Sequence, residues 1–219
     1  MKRVRKSGVE RRDEISRAAL AIIDQQGTGA LSIASVAHRV GIAPSALYRH
    51  YPDKAAMVED IIDRLASGVR ANLERMEAES ADDAVEALGE FLNRHVQFVL
   101  ENRGFPMLVF SDLVLQHPGR REGMAGNLAN FRSVVGRVLA EGQRQGRVRT
   151  DIDPEAGALA FLGLFMPAAL HWHLSGGRTD LAGVVRRAWP IYLAGIRTPH
   201  VPAVRARSPR RSHNQERPS

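Results

Sequence analysis

Residues 32–54 read Ser-Ile-Ala-Ser-Val-Ala-His-Arg-Val-Gly-Ile-Ala-Pro-Ser-Ala-Leu-Tyr-Arg-His-Tyr-Pro-Asp-Lys, a spacing that admits two short helices around a tight turn and then the start of a third. Ser32 suits an N-cap, and Ile33, Val36, Ala37 and Val40 recur at i, i+3, i+4 and i+7, so one face of the first short helix is apolar. Gly41 supplies the break. Pro44 fits the first turn of the next helix, where its missing N–H costs nothing; Leu47 points inward, while Ser45, Ala46, Tyr48, Arg49 and His50 face outward. An exposed helix carrying hydroxyls, an arginine and a histidine is shaped for a DNA major groove. Tyr51, four residues after Leu47, belongs to the core.

Over about residues 10–60 the chain resembles the TetR (tetracycline-repressor) family of transcriptional regulators. The likeness rests on the Gly41-Ile42-Ala43-Pro44 turn, on Leu47-Tyr48-Arg49-His50-Tyr51 and on Pro52-Asp53-Lys54. It implies that Tyr48 and Lys54 sit on DNA phosphates and that a helical effector-binding and dimerisation domain follows. Ala43 departs from the family's usual serine or threonine cap, which removes roughly 1 kcal/mol of capping. With Ser32 and Ser35 at the first short helix, the expected DNA contacts are Ser32, Ser35, Ser45, Ala46, Tyr48, Arg49, His50 and Lys54.

The net charge of +7 is unevenly placed. Residues 1–12 carry +5 and residues 198–219 carry +4, leaving −2 for 13–197, so the basicity belongs to the ends and to the DNA reader. The N-terminal arm precedes the reader, where it can reach phosphates or the minor groove. With no cysteine, disulfides and thiolate chemistry are excluded, and a reducing cytoplasm fits. Met1–Arg12 has charge without an apolar segment behind it, which argues against a secretory signal. Residues 156–177 lack Asp, Glu, Lys and Arg, but their glycines, Pro167, His171, His173 and Ser175 make a membrane span a poor reading. Burial between helices and a second subunit explains such a segment better.

Along the chain, Ile15, Ala18, Ala19, Ile22 and Ile23 predict a helix over about 9–26, closed by Gly27. Asp53 caps a longer helix over 53–79, with Val58, Ile61, Ile62, Leu65, Val69, Leu73 and Met76 as its stripe. Further helices are expected over 83–102, 105–115, 120–145, 154–175 and 179–196, and no strand pattern emerges. The expected fold is all-α with about nine helices. Its parts are a basic arm (1–8), a three-helix helix-turn-helix domain (9–54), a helical effector-binding and dimerisation domain (55–197) and a disordered basic tail (198–219).

No catalytic constellation, metal site or cofactor motif can be assembled. His171 and His173 lie about 200° apart around a helix and cannot share one ion unaided, and Gly27-Thr28-Gly29 follows a helix without a full phosphate-loop pattern. The function expected is a homodimeric, sequence-specific repressor that binds a palindromic operator in double-stranded DNA and is released by a small apolar or aromatic effector. The dimer is expected to form through helices 154–175 and 179–196, and the effector pocket to be lined by His95, Met107, Phe110, Phe131, Phe165 and Trp172. Pro167 is expected to kink its helix and open space beside Phe165 and Trp172. The alternatives are a nucleoid-associated DNA-structuring protein without effector, for which a cavity decides, and an enzyme on a helical core.

Overall fold

The computed structural model describes residues 7–198. All of the tail beyond Thr198, and all of the arm before Ser7, lie outside the described residues. Ten α-helices and one short 3-10 turn account for the described fold, joined by a single antiparallel bridge between Val148 and Arg197.

Helix α1 (Gly8–Gln26) opens on a capping box in which Ser7 Oγ accepts from the Glu10 N–H at 3.2 Å and Glu10 accepts from the Ser7 N–H at 2.7 Å. Helices α2 (Ile33–Val40) and α3 (Pro44–Tyr48) follow, and α4 (Lys54–Glu79) starts where Asp53 accepts from the Ala56 N–H at 2.8 Å. Helix α5 (Ala84–Glu101) is capped by Asp83. The run expected as one helix over 105–115 is two, α6 (Phe105–Val109) and α7 (Asp112–Leu115), which makes ten rather than nine. Ser111 divides them: its backbone is extended and its hydroxyl donates to the Leu108 carbonyl at 2.7 Å. Helices α8 (Pro118–Arg144), α9 (Pro154–Leu174) and α10 (Leu181–Ile196) complete the chain, the last two capped by Asp153 and Asp180.

Two apolar clusters hold the fold. The first gathers Ile15, Ala19, Ile23, Val36, Leu47 and Tyr51 with Met57, Ile61 and Leu65 of α4, and draws in Leu108 and Val114 from α6 and α7. The second joins Leu73 and Met76 of α4 to Leu88 and Phe91, Val135 and Val138, Phe161 and Phe165, Trp172 and Tyr192. Each large side chain removed from water in these clusters contributes about 1.5–3 kcal/mol before the entropy of ordering the chain is set against it. Helix α4 belongs to both, and at about 1.5 Å per residue its 26 residues span about 39 Å.

Helix α9 is long and apolar enough to cross a membrane, but Ala158, Phe161, Phe165, Ala169 and Trp172 are buried in the second cluster. Its other side, Ala156, Leu159, Ala160, Gly163, Pro167, Leu170 and Leu174, is exposed and uncharged. Pro167 lies inside a helix that continues on both sides of it, its ring on this exposed stripe, while the neighbouring Leu162, Phe165 and Met166 line the cavity described below. Pro190 lies likewise on the exposed side of α10.

Candidate nucleic-acid interface and effector cavity

Helix α2 begins with a second capping box. Ser32 Oγ accepts from the Ser35 N–H at 3.0 Å, Ser35 Oγ accepts from the Ser32 N–H at 2.9 Å, and the Ser35 hydroxyl reaches the Ala30 carbonyl at 2.9 Å. Both hydroxyls therefore serve the end of their own helix. Gly41 closes α2 at φ 73° and ψ 39°, a left-handed conformation that glycine adopts without a Cβ penalty, and its N–H reaches the Ala37 and His38 carbonyls. Ala43 precedes α3 without a side-chain cap.

The turn presents Ser45, Tyr48 and Arg49 to solvent, with Ala46, His50 and Lys54 partly exposed beside them. Tyr48 is 55% exposed, whereas Leu47 is fully buried and Tyr51 is buried as the sequence predicts. Arg49 and Lys54 make no ion pair among the described residues, which leaves both cations free for an anionic partner. Burial lowers the His50 pKa, and the charges of Arg12, Arg11 and Arg49 lower it further. Of these, Arg11 pairs with Glu14 at 2.6 Å and Arg12 with Asp60 at 3.8 Å, which leaves Arg49 without an ion pair among the described residues.

A polar network fixes the reader beneath this surface. The Tyr51 hydroxyl donates to Asp60 at 2.5 Å, Arg64 donates to Asp60 at 2.8 Å and also pairs with Asp13, and Arg12 stands 5.6 Å over the Tyr51 ring. Burial opposes the charge on Asp60, but the hydrogen bonds from Tyr51 and Arg64 outweigh it and hold its carboxyl below the usual range.

The second site is a cavity of about 260 Å³ walled by α4, α6, α7, α8 and α9, with His95 contributed by α5. Its lining is almost wholly apolar and includes Ile62, Leu65, Val69 and Leu73 from α4. The polar exceptions are Arg70, His95, Asn127 and Asn130. Of the predicted lining, His95, Phe110, Phe131 and Phe165 reach this space. Met107 and Trp172 do not: Met107 packs toward the first cluster, and Trp172 is buried in the second beneath the Arg103 guanidinium, 4.8 Å from its ring. Phe110, Leu115 and Leu128 are large apolar side chains left exposed at the cavity.

His95 is 5% exposed and packs against Phe91 at 5.4 Å and Phe165 at 4.4 Å. Burial pushes its pKa down to about 4, so the ring is neutral near pH 7. Its Nδ1 has no hydrogen-bond partner, an omission that costs about 1–3 kcal/mol in a protein interior.

Two side chains that the sequence did not single out fasten the reader to the hollow domain. Arg120, nearly buried, donates to Glu59 at 2.7 Å and to the Ala55 carbonyl at 3.3 Å on α4, and to the Leu113 carbonyl at 2.9 Å. Arg103 pairs with Asp24 of α1 at 3.2 Å, and His173 stands 3.7 Å from the same carboxylate. His171 is exposed, away from this contact.

A helix-turn-helix reader joined by one long helix to a hollow helical domain defines a class, the ligand-responsive DNA-binding regulators. The chain matches the family described as "Bacterial regulatory proteins, tetR family" over residues 15–61 and "Tetracyclin repressor-like, C-terminal domain" over residues 81–196. It belongs to the TetR family and is a DNA-binding transcriptional regulator. It is 28% identical over 211 residues to the HTH-type transcriptional repressor KstR2 of Rhodococcus jostii, covering 89% of this chain and 94% of that one. The fold is similar to that of the ketosteroid transcriptional regulator KstR2 of Mycobacterium tuberculosis (TM-score 0.71, 20% identity, 86% of this chain and 96% of that one). It is also similar to FadR of Bacillus subtilis, solved in complex with stearoyl-CoA (TM-score 0.67, 18% identity, 84% of this chain and 98% of that one).

Proposed function

We propose that the protein is a homodimeric repressor that leaves its operator when an amphipathic small molecule fills the cavity. The observation that carries this reading is that α4 supplies both a wall of the cavity and part of the reader's core, so a ligand that displaces Ile62, Leu65 or Val69 moves the reader. The apolar body of the effector occupies the cavity. Its polar head emerges at Arg70, Asn127 and Asn130, which also line an adjoining cleft of about 460 Å³. FadR's complex with stearoyl-CoA supports this class of ligand. The cavity favours this reading over a nucleoid-structuring protein without effector.

Ser45, Ala46 and Arg49 read base edges, and Tyr48, His50 and Lys54 hold phosphates, with Ser32 and Ser35 presenting the start of α2 to the backbone. Two readers are needed for specificity, and the uncharged stripe of α9 pairs with its mate and with α10 of each protomer. The regulator works in the cytoplasm, where its DNA is. The test is to select bound fragments from genomic DNA and titrate the resulting operator complex with stearoyl-CoA and with free long-chain fatty acids. To convert a mostly bound population to a mostly released one, the effector must favour the released state by about 5 kcal/mol. Ligand occupying the cavity while operator affinity stays unchanged refutes the coupling.

A further inference from the structure

The cavity's polar groups are not equivalent. Arg70 and Asn130 are exposed, Asn127 is half-exposed, and His95 is 5% exposed, so the burial gradient gives the cavity an outer polar end and one polar group deep inside. The inner group is the anomaly. Phe91, Phe98 and Phe165 surround the imidazole at ring distances of 5.4, 6.2 and 4.4 Å, an environment that a phenylalanine or leucine would fill without burying an unpaired nitrogen. Packing accounts for a ring at position 95. It does not account for an imidazole.

Resting on the reading of the cavity as the effector site, we propose that His95 selects effectors that carry an uncharged oxygen, a carbonyl or hydroxyl, on the part of the apolar body that lies deepest. A neutral imidazole has one N–H donor and one bare nitrogen acceptor; Nδ1 is sealed within the protein, so a ligand oxygen in the cavity meets Nε2, which pairs with a carbonyl or a hydroxyl according to the tautomer. A fully saturated hydrocarbon end leaves the ring unpaired and is discriminated against, because a site built around a hydrogen bond rejects the analogue that lacks it. An ionised carboxylate is excluded from the inner end, where no cation lies among the lining residues other than the exposed Arg70.

The probes are 1-tetralone and tetralin, which differ by one carbonyl oxygen, titrated calorimetrically into the full chain. Wild type should bind 1-tetralone about tenfold more tightly, although tetralin is the more readily expelled from water. His95→Leu should reverse the order. His95→Gln, which keeps a donor and an acceptor, should retain the preference for the ketone and shows that loss in the leucine variant is not misfolding. Equal or tighter binding of tetralin to wild type, or a ketone preference that survives His95→Leu, overturns the inference while leaving the cavity a ligand site. Binding of neither probe to wild type overturns the reading of the cavity itself, and the inference with it.

Discussion

At the residue scale, the exposed cations of the reader and the buried histidine of the cavity make different predictions. Lys54→Ala and Tyr48→Phe should weaken binding to all DNA sequences about equally, because phosphate contacts carry no sequence information. Arg49→Ala and Ser45→Ala should instead change which bases are preferred, by about 1–3 kcal/mol for each good contact. Anisotropy titrations against a panel of singly mutated operators separate the two, and unchanged preference in the Arg49 and Ser45 variants removes α3 from the groove. His95 contributes to acid sensitivity alongside the paired carboxylates. Its folded pKa of about 4 lies below the usual 6.5, so the unfolded chain takes up a proton first as pH falls. The native state therefore loses stability between about pH 6.5 and pH 4, by roughly 3 kcal/mol over the full window. Urea melts at pH 7 and pH 4.5 should show a smaller difference for His95→Gln than for wild type; an identical difference means that the carboxylates alone govern the acid limb.

At the scale of elements, the crossing of α1 and α6 is set by Gly104. A Cβ there would stand 2.2 Å from the Leu20 carbonyl oxygen, so the two helices approach through backbone alone. Gly104→Ala should cost about 1–3 kcal/mol, as overpacking does. Gly29→Ala, with nothing within 4 Å of its Cβ, should be close to neutral, and equal melting temperatures for the two variants would sink the claim. The same crossing shows where the sequence stops being informative. The reader was legible because its information is local: Ser32, Gly41, Pro44 and Leu47 specify a cap, a left-handed break, a first turn and an inward side chain within sixteen residues. The apolar stripe of α4 was equally visible, but periodicity cannot say that Ile61 faces one cluster, Leu73 another, and Ile62 and Val69 a cavity between them. The sequence puts Trp172 in the pocket through its place beside Pro167; its burial under Arg103 depends on a loop sixty-nine residues earlier in the chain. Arg120 and Glu59 had no sequence signal at all, because surface-looking charges sixty-one residues apart are paired only by the fold.

At the scale of the whole molecule, the exposed side of α9 and α10 carries large apolar side chains that the proposed dimer would cover. Leu159, Leu170 and Leu174 are 58%, 43% and 73% exposed and Ile191 is 76% exposed, with Gly163, Ala160, Ala194 and Gly195 between them. Large apolar side chains set among small ones let two helices approach closely, and in the proposed dimer their mates on a second copy would supply the cover. The pairing also bears on affinity. Two readers held on one rigid body meet two half-sites at a high effective concentration, so a dimer can bind a palindrome about 10²–10⁴-fold more tightly than a single reader binds half of it. Ile191→Glu combined with Leu170→Glu places two charges at the seam against their symmetry mates and should yield a folded monomer. Sedimentation should report half the wild-type mass, and affinity for the full operator should fall by about that factor while a half-site is bound as before. Because the cavity is walled by helices of one protomer, 1-tetralone should still bind the monomer. Dimers that persist despite both charges place the interface elsewhere, and monomers that keep full operator affinity show that one reader suffices.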